Sequence, residues 1–339
     1  ICPEPCPYCG DPYCNGECQN YAFCTNCGSQ LINGVCPNCS NNDDDSGGNQ
    51  ENPPLTPAQD TTNYVLTVNC SGSGLVVGNR GTYSKNDIAV ITARPISNYI
   101  FGGWSGDLHG TINPGNIKMD NDHTVNAIFY DTLSNCGKLI KLINNGDLEY
   151  YRQKISGSIE YGYIKASDGT KYEGTGSAGR IALKKINNIS EMVHTHELEI
   201  HLSQADLTSL FARFSRGEIS DYVNFKYTIV SPEYFVVVTI DNPEIISTLL
   251  NDGFIVDDES GKKVLSEKYL KIYDKYLPIT SNSVEGHFQN FIDFVNEANL
   301  GLKISLHRTN PETGELSSKF INSRQDVNDL LNNIGNCLR

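Results

Sequence analysis

Residues 40 to 62 read SNNDDDSGGNQENPPLTPAQDTT, a stretch with one Leu, one Ala and no aromatic side chain. Nothing in it can offset the backbone entropy lost on ordering, so it is expected to be a solvated acidic linker. It forces a modular chain. At roughly 100 to 200 residues per domain, 339 residues predict two or three domains.

The part before the linker is defined by its cysteines. Nine of the twelve fall within residues 2 to 39, and only Cys70, Cys136 and Cys337 lie elsewhere. Such clustering marks a local metal or disulfide module rather than a stapled whole chain. Cys24-x-x-Cys27 and Cys36-x-x-Cys39 stand eight residues apart. Each pair offers two thiolates from one tight turn, and together they close a four-sulfur shell around a structural zinc. Cys6, Cys9, Cys14 and Cys18 are the residues for a second four-thiolate zinc site, with less regular spacing and with Cys2 competing for a place. Disulfides are the alternative. Residues 1–39 are therefore expected to be a cysteine-rich zinc-ribbon module, without catalytic residues of its own.

Charge narrows the partners. Lys plus Arg number 26 against 40 for Asp plus Glu, a net charge of −14, and residues 1 to 79 carry eight acidic residues and no basic one. That balance repels phosphate backbones, so nucleic acid is excluded as the expected partner. No run of about 18 apolar residues occurs, which excludes a transmembrane segment of the helical kind. The first residue is Ile1 rather than Met, as expected of a trimmed chain or one that has lost a leader.

Residues 63–130 alternate in short bursts, Tyr64, Leu66 and Val68, then Ile88, Val90 and Thr92, with Gly and Asn clusters between them. This predicts a β-rich domain of antiparallel strands and tight turns. Four features carry a resemblance to the bacterial surface repeat related to the internalin B-repeat. They are the opening strand, Gly81-Thr82-Tyr83 with Asp87 and the Ile88 to Ala93 strand, Tyr99 to Asp107 around Gly103-Trp104, and the close from Met119 to Phe129. The resemblance implies a small β-rich fold in an exported, often surface-displayed protein. Trp104, the only Trp, is the natural core anchor of so small a domain; stacking on a carbohydrate is the sharper alternative.

Past residue 131 the pattern becomes mixed. Leu139, Leu142 and Ile143 follow helical spacing, Ser158 to Tyr172 reads as a hairpin turning at Asp168-Gly169, and Leu207, Leu210, Phe211 and Phe214 predict a helix with one buried stripe. Strands are expected over Tyr222 to Val230 and Phe235 to Ile240. A second helix should carry Val284, Phe288, Phe291, Val295 and Ala298, and a strand Leu302, Ile304 and Leu306. Residues 131–339 should thus form an α+β (α/β) domain with its own core.

Within it, His194-Thr195-His196 is followed by Ser203-x-x-Asp206. Residues two apart on a strand face one side, so both imidazoles can reach one ion. Ser203 should begin the Leu207 to Phe214 helix and place Asp206 in its first turn. Two His and one carboxylate leave a zinc position open for water, a catalytic shell. Here the sequence resembles the JAMM/MPN metallopeptidase family, in particular the JAB-like domains that end exported Bacteroidetes proteins. The upstream Glu160-Tyr161-Gly162-Tyr163 and the Cys136 to Leu142 helix match those domains. Glu197 stands where the family has Pro, and six rather than seven residues separate His196 from Ser203. The resemblance implies His194, His196 and Asp206 as ligands of a catalytic Zn, Glu160 as proton shuttle and Ser203 as a group polarising the oxyanion. Read without the family, Ser203-x-x-Asp206 is also a capping box, the two His could be solvated, and Glu160 could be an exposed carboxylate. His201, on the opposite strand parity, is read as a neighbour.

The function expected is hydrolysis of a peptide or isopeptide bond by an extracellular or surface-bound zinc metallopeptidase, acting on a protein or peptide substrate such as cell-wall peptide. The alternatives are a non-catalytic surface or adhesion protein with a degenerate JAMM-like domain, and a secreted toxin-like effector.

Overall fold

The computed structural model describes residues 62–78, 81–155, 157, 159–176, 181–277, 283–332 and 337. The expected zinc ribbon of 1–39 and nearly all of the 40–62 linker lie outside the described residues. The chain is multidomain and divides between Phe129 and Tyr130 into two compact units.

The described residues of the first unit form strands without a helix: β1 (Asn63–Ser71), β2 (Gly74–Gly78), β3 (Gly81–Ser84), β4 (Ile88–Pro95), β5 (Tyr99–Gly106), β6 (Gly115–Lys118) and β7 (His123–Asp131). They form a four-stranded sheet in the order β3-β1-β7-β5 and a three-stranded one in the order β2-β4-β6. Strands β1 and β7 run parallel, which differs from the all-antiparallel expectation. Trp104 is fully buried in the core with Ile91, Met119 and Phe129, and its indole N–H donates to the Ile112 carbonyl at 2.9 Å. That burial removes the ring from any exposed carbohydrate-stacking role. On β4 the inward face is Ala89, Ile91 and Ala93, whereas Ile88 and Val90 are exposed. The apolar run there fills both strand parities, so alternation could not choose a side.

The second unit contains α1 (Asn135–Ile143), α2 (Gly146–Gln153), β8 (Tyr161–Ala166), β9 (Lys171–Thr175), β10 (Ile189–Thr195), α3 (Gln204–Ser215), β11 (Lys226–Val230) and β12 (Tyr234–Ile240). It continues through α4 (Pro243–Asn251), β13 (Ile255–Asp257), β14 (Lys263–Leu265), α5 (Glu267–Tyr276), α6 (Val284–Ala298), β15 (Leu302–Thr309), β16 (Leu316–Ile321) and α7 (Arg324–Leu331). Seven strands make one sheet in the order β16-β15-β12-β11-β10-β8-β9, with β13 and β14 a separate hairpin. Among the described strands of this sheet only β10 and β11 pair in parallel, and α3 is their crossover helix.

Both faces of the sheet are covered. Leu148 and Tyr151 of α2 and Ile143 of α1 pack with Tyr163, Val193 and Phe235 on one side. Helices α3 to α7 pack on the other, through residues such as Phe211, Phe288, Phe291 and Val327. A disulfide between Cys136 and Cys337 joins the first helix to the far end of the unit, 201 residues away. Among the described residues, no helix is long and apolar enough to cross a membrane.

Candidate metal centre

Strand parity places the two histidines. Along β10, Glu191 and Val193 face α1 and α2, where the Asn145 side chain donates to Glu191 at 3.0 Å. Met192 and His194 face α3. His196 lies one residue past the strand, but its N–H still donates to the Val230 carbonyl at 2.9 Å, which continues the ladder and keeps its ring beside that of His194. The side chains of His194 and His196 are 0% and 6% exposed, and their Nε2 atoms face one another at 2.8 Å.

Helix α3 brings the carboxylate. Ser203 is its N-cap, and a complete capping box forms: the Asp206 N–H donates to Ser203 Oγ at 3.2 Å, and the Ser203 N–H donates to Asp206 Oδ2 at 2.9 Å. The Ser203 hydroxyl also donates to Oδ2, at 2.7 Å. This contact and the N–H bond make Ser203 a holder of the carboxylate. Asp206 thereby stands in the first turn, where the helix dipole favours negative charge. Its Oδ1 lies 3.4 Å from His194 Nε2 and its Oδ2 lies 3.6 Å from His196 Nε2. One atom from each of the three residues falls within 4.8 Å of the others.

These groups bias one another. Burial would raise the Asp206 carboxyl, but His194, His196 and the Ser203 hydrogen bond outweigh it and hold the group well below the usual carboxylate range. Burial disfavours charge on His194, yet the Asp206 and Glu160 carboxylates raise its pKa. His196 is pushed down to about 3, by burial first and by His194 second, so it is held neutral.

The donor set suits a divalent cation. Two zinc ligands at about 2.05 Å in a tetrahedron stand about 3.3 Å apart. His194 faces Oδ1 and His196 faces Oδ2, so the carboxylate would have to turn to offer one oxygen to an ion shared by both rings, and the His–His pair would have to open by about half an ångström.

His196 and Asp206 line a cleft of about 920 Å³, and His194 is buried behind them. Glu160, immediately before β8, lines it beside His196 and Asp206, and partial burial raises its carboxyl pKa against the opposing effect of His194. Ile159, Ile181 and Leu183 give the cleft an apolar wall, and Glu197 and Glu199 add acidic groups. Arg213 of α3 fixes that wall by donating to the Leu183 carbonyl at 3.0 Å and the Lys184 carbonyl at 3.3 Å. His201 lies outside the three-residue group: it is buried, with Nε2 4.0 Å from Glu199 and its ring 5.5 Å from that of Phe291.

Sequence reasoning missed Tyr227. It is buried on β11, and its hydroxyl donates to Asp206 Oδ1 at 3.2 Å. The available signal was a phenol on a buried strand face, since a buried Tyr O–H needs an acceptor. The Gly of Glu160-Tyr161-Gly162 acquires a reason as well, because Gly162 pairs with His194 across the β8–β10 ladder.

Comparison with known proteins finds one family match. Residues 64–132 match the divergent InlB B-repeat domain. The boundaries of this repeat coincide closely with β1 to β7, and its match does not extend to the histidine site. No curated protein and no solved structure matches the chain.

Proposed function

We propose that residues 130–339 form a JAMM-like zinc hydrolase of peptide or isopeptide bonds, carried by a bacterial protein that is exported or displayed at the cell surface. The observation that carries this reading is the convergence of His194, His196 and Asp206 behind a cleft that His196, Asp206 and Glu160 line. The InlB-like repeat supports surface association. The Cys136–Cys337 disulfide supports an oxidising compartment, where such bonds persist.

His194, His196 and Asp206 would hold the ion. Zinc in such a shell acidifies a water and polarises a carbonyl. Glu160 takes a proton from the attacking water on its carboxylate and delivers it to the leaving amine nitrogen. Its raised pKa suits both steps. Ser203 holds Asp206 in place, and the apolar wall lies along the substrate side chains. The paired cysteines at 24, 27, 36 and 39, and at 6, 9, 14 and 18, are proposed as separate structural zinc sites.

The test is metal content and turnover on the full chain. Wild-type protein should carry one more zinc than the His194→Ala chain and should release peptides from a broad panel that includes cell-wall peptides. No difference in metal between the two chains refutes the reading. Glu197 in place of Pro and the six-residue spacing from His196 to Ser203 favour a second reading, a non-catalytic surface protein, which requires that extra zinc with no turnover.

A further inference from the structure

The Asp206 carboxylate is gripped unevenly. Two donors from Ser203, its N–H and its hydroxyl, both reach Oδ2, at 2.9 and 2.7 Å. Held through Oδ2 alone, the group keeps freedom to turn about its Cβ–Cγ bond. Tyr227 supplies a donor to the other oxygen, Oδ1, at 3.2 Å. Oδ1 is also the oxygen that faces His194 Nε2.

The phenol is itself firmly placed. Tyr227 pairs with Met192 on β10 and with Val238 on β12, so strands on both sides set its backbone. Its ring lies 5.4 Å from the His194 ring. His194 Nδ1, by contrast, is buried and has no hydrogen-bond partner among the described residues. In metal sites the orienting hydrogen bonds usually fall on the ligands' second atoms. For this pair of ligands they fall on Asp206, from Ser203 on one oxygen and Tyr227 on the other.

Resting on the metal-site reading above, we propose that Tyr227 is a positioning residue: its hydroxyl locks the rotation of the Asp206 carboxylate and so sets the affinity and geometry of the bound ion. It makes no contact with the ion itself. A role limited to core packing would need the ring and not the hydroxyl, and Tyr227→Phe separates the two.

The experiment uses the full chain as wild type, Tyr227→Phe and His194→Ala, the last giving the background from the cysteine sites. Zn²⁺ and Co²⁺ binding is measured by chelator competition, and the Co²⁺ absorption spectrum is recorded. Tyr227→Phe should bind metal at this site about 10- to 100-fold more weakly, with an altered Co²⁺ spectrum and an unchanged far-ultraviolet circular dichroism spectrum. Wild-type affinity and an unchanged Co²⁺ spectrum in that variant overturn the inference while leaving the metal site intact. If wild type binds no more metal than His194→Ala, the metal reading fails and the inference falls with it. Ser203→Ala gives a second check on the same carboxylate. With Tyr227 as the remaining side-chain donor to the carboxylate, it should lose less affinity than Ser203→Ala combined with Tyr227→Phe. Equal losses overturn the inference.

Discussion

Gly162 sits directly across the β8–β10 ladder from His194, and a Cβ added there would lie 2.8 Å from the His194 Cβ and nearer still to the Val193 carbonyl oxygen. Real Cβ contacts are not that short, so the strand would have to move. Gly162→Ala should cost about 1 to 3 kcal/mol, the range for overpacking a filled interior, and should weaken metal binding through the displaced imidazole. Chemical denaturation and metal titration of the same variant check both effects. Unchanged stability together with unchanged affinity would show that β8 yields more readily than its pairing implies.

Ligand and proton carrier separate by substitution. His194→Ala should remove the ion, whereas Glu160→Gln should leave it bound and slow turnover by about 100- to 10,000-fold, the usual range for losing a general acid or base. Metal analysis beside rate measurements on these two chains decides it. Loss of zinc from Glu160→Gln would move that residue into the ligand shell.

His201 predicts a loss of stability in mild acid. Burial first, and His287 second, push its pKa from the ordinary 6.5 down to about 4. Between those values the unfolded chain binds more protons than the folded one, so stability falls as pH drops through this window and is fully present above it. The gap is worth about 3 kcal/mol at most. His201→Gln should flatten the pH dependence of denaturation midpoints between about 6.5 and 4 relative to wild type. An equal slope in the two chains would mean that other groups carry the acid sensitivity.

The parts that could be read from the sequence are those whose pattern is local. Leu207, Leu210, Phe211 and Phe214 are all buried on α3, as four apolar residues at helical spacing require, and His194 and His196 fall on one side because a strand has a period of two. Ile88 and Val90 misled because Ala89, Ile91 and Ala93 are apolar as well, and in the fold the smaller side chains pack inward. Tyr227 could not be placed from its neighbours, since its role depends on a helix that begins more than twenty residues earlier. The Cys136–Cys337 bond has the same difficulty at greater range, since nothing local to either cysteine names the other.

That bond should be a large contributor to stability. Closing a loop of 201 residues restricts the unfolded chain by up to about 5 kcal/mol on the chain-entropy account. Replacing Cys136 and Cys337 together by Ala should lower the denaturation midpoint of the second unit while leaving zinc stoichiometry at the histidine site unchanged. A midpoint equal to wild type would show that the bond does not form in the folded protein.

The same bond also changes what a protease can do to the chain. Between Cys136 and Cys337 lie β8 to β16 and every residue of the histidine site, all inside one covalent ring. A single backbone cut in any loop of that ring opens it but releases nothing, because the two pieces remain one molecule. A nicked copy would therefore keep both halves of the metal centre, His196 and Asp206 included, in one covalent molecule.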